Sequence, residues 1–148
     1  MTTRLYLSYG SNMHLEDMAK RCPTATVVGL SVLEDYELIF RGEGEKAFAT
    51  IEPSKGDTVP VLLWDIKEAD EVELDVYEEY PSLYRKEMVN VTFNEEELSV
   101  MVYIMNDGAR YNIPTDVYYN KIVQGYEAAS IDIKILENAL EKTKQRMS

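Results

Sequence analysis

Three groups of residues in this chain have the types and spacing to do chemistry. The first is Tyr9-Gly10-Ser11-Asn12, where an alternating strand-like segment hands over to a helical one. A glycine there lets the backbone turn sharply and approach a ligand. The N–H groups that follow, at a helix start, can point at an anion or a developing oxyanion. Ser11 and Asn12 add side-chain donors. The plain alternative is a capped strand-to-helix turn that holds nothing.

The second group is Leu74-Asp75-Val76-Tyr77-Glu78-Glu79-Tyr80-Pro81, at the end of an acidic stretch. Glu68, Asp70, Glu71 and Glu73 read as a solvated helix face. Glu78 differs because it falls four residues after Leu74 and shares its face. If Leu74 packs inward, Glu78 sits at the edge of the core, where desolvation and the negative end of the helix dipole both raise its pKa. Such a carboxylate is a usable general base, then a general acid, near neutrality. Helix-end glutamates with no such role are also common. The third group is Tyr84, Tyr103 and Tyr118, which can line a wet pocket or sit in the core with one hydrogen-bond partner each.

These residues need elements to hold them. Arg4 to Tyr9 alternates like a strand, and Leu15, Met18, Ala19 and Cys22 follow at helical spacing, with Asn12 as the expected N-cap and Pro23 as the stop. Val27 to Phe40 predicts one long or two short strands. Ala47–Ile51 and Val59–Ile66 predict two more, divided by a turn over Pro53-Ser54-Lys55-Gly56-Asp57. Lys67 to Glu79 predicts a helix. Tyr84–Phe93 and Leu98–Met105 predict a hairpin across Asn94-Glu95-Glu96-Glu97. Pro114-Thr115-Asp116 opens a helix with Tyr118, Ile122, Tyr126 and Ala129 on one face, and a last helix aligns Ile133, Leu136, Leu140 and Thr143. The expected fold is mixed α/β (α+β), a small curved sheet or β-barrel of about six strands with flanking helices.

Composition narrows the function. At 148 residues with even composition, a single domain over residues 1–148 is expected. A formal charge of −12 repels phosphate backbones and anionic membrane surfaces, so neither nucleic acid nor membrane is an expected partner. Cys22 is the only cysteine, which rules out an intrachain disulfide and fits a reducing compartment. No apolar run is long enough to span a bilayer, and Met1-Thr2-Thr3-Arg4 runs straight into a strand without a leader's apolar region, so the expected location is the cytoplasm. The one histidine, His14, lacks metal-ligand partners at useful spacing and reads as a surface helix residue. There is no phosphate loop or dinucleotide fingerprint, so no metal and no cofactor are expected.

The ordered set of segments resembles the γ-glutamylcyclotransferase-like family. The similarity begins at Leu5-Tyr6-Leu7-Ser8-Tyr9-Gly10-Ser11-Asn12-Met13 and continues through Arg21-Cys22-Pro23-Thr24-Ala25 and Leu33-Glu34-Asp35-Tyr36-Glu37-Leu38-Ile39-Phe40. It then takes in Ala49-Thr50-Ile51-Glu52-Pro53, the LDxxE-type helix end Leu74-Asp75-Val76-Tyr77-Glu78, Tyr80-Pro81, Tyr84, and Ile122-Val123-Gln124-Gly125-Tyr126. Each motif is weak alone; their order and spacing are specific together. The resemblance implies a small mixed barrel with flanking helices. It implies a loop, Tyr9 to Asn12, whose amides hold the substrate's carboxylate or carbonyl. Glu78 takes the place of the family's acid/base glutamate, and Tyr84, Tyr103 and Tyr118 those of pocket-lining tyrosines. The family usually has glycine after that glutamate, where this chain has Glu79. The glutathione-specific and γ-glutamylamine-specific branches carry YGSL- and YGTL-type loops, from which Asn12 departs.

The implied activity is a cofactor-independent intramolecular aminolysis of a small γ-glutamyl compound, releasing 5-oxoproline and a free amine or amino acid. The alternatives are a γ-glutamylamine or γ-glutamyl-protected intermediate as substrate, a non-catalytic relative that binds a small molecule in the same pocket, and an interaction module whose acidic face, with Asp70 and Glu73, meets a basic partner. The oligomeric state is open.

Overall fold

The computed structural model describes residues 3–147, so Met1 and Thr2, at the head of the segment read for a leader, and Ser148 lie outside the described residues. Five strands form one sheet: β1 (Thr3–Ser8), β2 (Thr26–Glu43), β3 (Lys46–Lys67), β4 (Tyr84–Phe93) and β5 (Glu96–Met105), in the order β2-β3-β1-β5-β4. Four α-helices accompany them: α1 (Leu15–Arg21), α2 (Glu68–Tyr77), α3 (Asp116–Ala128) and α4 (Ile133–Arg146). The mixed α/β architecture is the one expected.

Strand β1 is central. It runs antiparallel to β3, with Tyr6 opposite Trp64, and parallel to β5, with Tyr6 opposite Met101. Leu7, Leu63, Ile66 and Met101 are fully buried around it. A strand flanked on both sides is held firmly, and its C-terminal end delivers Tyr9 and the loop after it to a defined place.

The sheet has five strands rather than about six because the Pro53–Asp57 turn is absorbed as a bulge. Tyr36 pairs with Pro53 and Glu34 with Thr58, so Asp35 alone faces Ser54, Lys55, Gly56 and Asp57. The Gly56 N–H donates to Asp35 Oδ1 at 2.9 Å, which closes the bulge, and β3 continues beyond it. The β4–β5 connection is also tighter than expected. Asn94 and Glu95, at φ +50° and +68°, turn the chain in two residues, so β5 starts at Glu96.

The sheet curls without closing into a barrel. Ser31 Oγ of β2 donates to the Thr92 carbonyl of β4, and Gly29 lies under the Phe93 ring, where a Cβ would come within 2.7 Å of it. Among the described residues no backbone ladder joins the two edges. Helix α4 covers β2 through Thr143, whose hydroxyl accepts from the Phe40 N–H at 3.1 Å and donates to the Ala139 carbonyl at 2.9 Å.

One local expectation changes. Asp70 is not solvated: it is 2% exposed, and its Oδ2 accepts from the Lys67 N–H at 3.0 Å while the Thr24 hydroxyl donates to the same carboxylate. An acid at the N-terminus of α2 is stabilised by free N–H groups and the helix dipole, so burial there is tolerated. A buried Asp70 cannot present a charge to a partner. Cys22 is buried and its thiol is pushed up to about 11, mainly by burial, which leaves it as packing rather than a nucleophile. Among the described residues no helix is long and apolar enough to cross a membrane.

Candidate active site

The carboxylate comes from the end of α2. Leu74 is fully buried, which turns that face inward and brings Glu78, the C-cap, to the wall of a cleft. The helix stops there through paired backbone bonds: the Glu79 N–H donates to the Val76 carbonyl at 3.2 Å and the Tyr80 N–H to the Asp75 carbonyl at 2.9 Å. This termination places the residue after the cap in the left-handed region, and Glu79 has φ +51°. Glycine adopts that backbone without steric cost; here a glutamate occupies it. Glu78 is partly buried and Glu79 is exposed.

The opposite wall is the loop after β1. Gly10, Ser11 and Asn12 are buried, and a 3-10 turn over Ser11–Met13 is closed by the Met13 N–H donating to the Gly10 carbonyl at 3.0 Å. Among the described residues no protein acceptor takes the N–H groups of Gly10, Ser11 and Asn12. Two glycines let the loop sit this close. A Cβ on Gly10 would lie 3.2 Å from Ala49 Cβ, and one on Gly125 would lie 2.8 Å from Met13 Cβ. Gly125 is therefore the point where α3 seats the loop.

Asn12 is not the N-cap of α1. Its Nδ2 donates to Glu78 Oε1 at 3.1 Å and to the Tyr6 hydroxyl at 2.9 Å, and its Oδ1 accepts from Arg21 Nη1 at 2.6 Å. The cap is His14, whose Nδ1 accepts from the Asp17 N–H at 3.2 Å. His14 Nε2 meets Gln124 Oε1 at 2.6 Å, so His14 ties α1 to α3 rather than lying on an open surface.

Tyr9 to Asn12, Glu78, Tyr84, Tyr103 and Tyr118 all line an inner chamber of about 20 Å³. Ser11, Glu78, Tyr84 and Tyr118 also line an adjoining outer chamber of about 130 Å³, together with Phe48, Tyr77, Glu79 and Leu83. Glu78 therefore stands between the two. The tyrosine hydroxyls serve the frame. Tyr9 donates to the Tyr103 carbonyl and Tyr84 to the Ala49 carbonyl, both at 2.7 Å, and Tyr103 donates to Asp75 Oδ1 at 2.6 Å. Tyr118 differs, because its oxygen accepts from the Ala49 N–H at 3.0 Å. Burial pushes all four phenols above their ordinary range, so they are neutral at physiological pH.

Burial also sets the state of Glu78. Desolvation pushes its carboxyl up to about 8, against a smaller opposing pull from the Arg21 charge. The cleft thus combines a carboxyl that titrates near neutrality, a row of free N–H groups and a neutral aromatic wall. Among the described residues no group of three or more His, Cys, Asp or Glu side chains is placed to hold a metal ion.

Several contributors were not singled out from the sequence. Tyr6, Arg21, Phe48, Tyr77 and Leu83 reach the cleft or its supports only through the fold. For Tyr6 a signal existed, since β1 alternation places it in phase with Ser8 and Gly10. Arg21 and Tyr77 fall within segments that carry the family resemblance, but nothing local assigns either a role.

The profile of the family described as gamma-glutamyl cyclotransferase, AIG2-like, matches residues 6–122. The chain is similar to a Bos taurus protein named gamma-glutamylcyclotransferase, at 29% identity over 128 residues, covering 80% of this chain and 67% of that protein. It is similar to a solved structure named gamma-glutamyl cyclotransferase, with a TM-score of 0.80 at 27% identity, covering 97% of this chain and 87% of the other. It is equally similar to the crystal structure of an uncharacterized Homo sapiens protein, with a TM-score of 0.80 at 27% identity, covering 97% and 88%. The matched span holds both the Tyr9–Asn12 loop and Glu78, the two walls of the cleft, and the chain belongs to the gamma-glutamyl cyclotransferase, AIG2-like family.

Proposed function

We propose that the protein is a γ-glutamyl cyclotransferase in which Glu78 moves the protons of an intramolecular aminolysis. The observation that carries this reading is the Glu78 carboxyl, raised to about 8 between the two chambers and sharing the inner one with Gly10 to Asn12, whose N–H groups have no protein acceptor among the described residues. Family membership supports the cyclotransferase class, and the chemistry of the cleft supports the roles.

The α-ammonium of a γ-glutamyl compound cannot attack its own γ-carbonyl until it loses a proton, and its ordinary pKa is about 7.7–8.0. A carboxylate matched to that value takes the proton with little free-energy change. The amine then closes a five-membered ring on the γ-carbonyl carbon, with proximity built into the substrate. Oxyanion charge develops, and the loop N–H groups and the Tyr118 hydroxyl that line the chamber are donors for it. The C–N bond to the leaving group breaks, and 5-oxoproline departs. The α-nitrogen gives up two protons in all and the leaving nitrogen gains two when it departs as an ammonium. Glu78 carries each in turn and ends ionised, as it began. No cofactor is needed for this proton movement. The setting fits a soluble cytoplasmic enzyme.

A finer reading concerns the leaving group. Among the described residues, the charged side chain that lines the outer chamber besides Glu78 is Glu79, beside Phe48, Leu83 and Tyr77. That wall favours a leaving amine without a carboxylate over a free amino acid. The test is 5-oxoproline release by wild type and Glu78→Gln across γ-glutamyl amino acids, γ-glutamylamines and glutathione. Release by wild type alone, fastest from the amines, is expected. Equal release by a folded Glu78→Gln variant overturns the role, and no release from any compound overturns the activity.

A further inference from the structure

Arg21 lies outside both chambers, yet it touches the support of each side of the cleft. It is the last residue of α1, where a cation is favoured by the helix dipole. Its Nη1 donates to Asn12 Oδ1 at 2.6 Å. Its guanidinium carbon lies 3.5 Å from the centre of the Tyr77 ring, and the Tyr77 hydroxyl shares a 2.7 Å hydrogen bond with Ser11 Oγ. One side chain therefore fixes Asn12 directly and Ser11 through an aromatic ring.

We infer that Arg21 is the positioning residue of the site: by holding Asn12 Oδ1 it aims the Asn12 amide donors at the Glu78 carboxyl. This rests on the reading of Glu78 as the acid/base group. The two ends of an asparagine amide have nearly the same shape, so its orientation is decided by its partners. With Arg21 in place, a flipped Asn12 would set its NH2 against a guanidinium and its oxygen against a carboxylate. The observed orientation is therefore the only one that satisfies both neighbours, and it brings Nδ2 to Glu78 Oε1 at 3.1 Å.

The other titratable groups that share the chambers with Glu78 are Tyr6 from β1, Tyr9 just after it, Tyr84 from β4, Tyr103 from β5 and Tyr118 from α3, with Tyr77 and Glu79 on either side of it in the chain. Burial keeps Tyr6, Tyr9, Tyr84, Tyr103 and Tyr118 neutral. Arg21 is thus the cation that opposes desolvation of the carboxylate, acting across one amide bridge. Its removal is expected to move Glu78 upward by about one pH unit, a tenfold loss of carboxylate below its pKa.

The test follows Glu78 in two ways in wild type, Arg21→Gln, Arg21→Met and Arg21→Lys. One readout is the pH profile of kcat/KM for 5-oxoproline release. The other is the carbon-13 NMR titration of the Glu78 carboxyl, assigned by its loss in Glu78→Gln. In either neutral variant that folds, the ascending limb and the carboxyl titration should move up together by about one unit. Activity at pH 7 should fall roughly tenfold and recover at higher pH, while Arg21→Lys keeps most of the wild-type position. A neutral variant whose Glu78 titrates as in wild type, or whose activity falls equally at every pH, overturns the inference. The NMR arm needs no turnover, so wild type that releases no 5-oxoproline counts against the proposed activity, whereas an unmoved carboxyl counts against Arg21.

Discussion

The two ends of helix α2 each take a carboxylate out of water, and they put it to opposite uses. At the N-terminus, Asp70 is 2% exposed and saturated by the Lys67 N–H and the Thr24 hydroxyl. At the C-terminus, Glu78 is partly buried with one amide donor, Asn12, on one of its oxygens. The helix dipole favours the charge at the first position and opposes it at the second. Burial alone does not make a proton carrier. What matters is whether the charged form is fully hydrogen-bonded where it sits. Asp70 is bound into the fold by its hydrogen bonds, whereas Glu78 is left with a carboxyl poised at about 8.

The sharpest way to break this contrast is to neutralise each acid. Glu78→Gln should fold and lose turnover by about 10²–10⁴-fold, the usual weight of a general acid–base group, in the 5-oxoproline assay. The contrast should also appear in stability against pH. Glu78 binds its proton more tightly folded than unfolded, so between its ordinary 4.5 and about 8 the native state holds more proton and stability falls as pH rises. Denaturant midpoints across that window should show a loss on the order of a few kcal/mol in wild type, and a flatter line in Glu78→Gln. Asp17 and Glu37 carry the opposite sign. Lys121 holds the first below its ordinary value and Arg146 the second, so their contribution is present above the ordinary carboxylate range and is lost as pH falls below it. That acid-side loss should survive in Glu78→Gln.

Asp70→Ala should do the reverse of Glu78→Gln. It strands the Lys67 N–H and the Thr24 hydroxyl, and the denaturant midpoint should report a loss of about 2–3 kcal/mol. Turnover per folded molecule should be retained, because Asp70 touches neither chamber. The smallest effect belongs to the turn just past Glu78. Glu79 holds φ +51°, and Glu79→Gly should stabilise the protein by about 0.5–1 kcal/mol in the same measurement. A loss there would mean that the Glu79 side chain itself holds the helix end.

Much of this was legible before folding. Leu74 and Glu78 share a helix face by spacing alone, and Tyr9-Gly10-Ser11-Asn12 lies at the strand-to-helix handover that periodicity marks. Asp70 misleads for a physical reason. In an acidic run each residue looks solvated, and only Thr24, 46 positions away, shows that one of them turns inward. Pro53 to Asp57 misleads similarly: Pro and Gly signal a turn, but the paired strand β2 carries β3 past them, so the signal becomes a bulge.

The sequence by itself determined what depends on near neighbours: the order of strands and helices, the loop glycine, and the inward phase of Glu78. Tertiary structure decided what depends on distant ones. It curled the sheet without closing it, and it brought Asn12 to Glu78 across 66 positions of chain. It set Arg21 against Asn12 and the Tyr77 ring, and it removed enough water from Glu78 to raise its carboxyl to about 8. Periodicity is a short-range property of the backbone, whereas desolvation and the field at a carboxylate are sums over everything the fold packs around it.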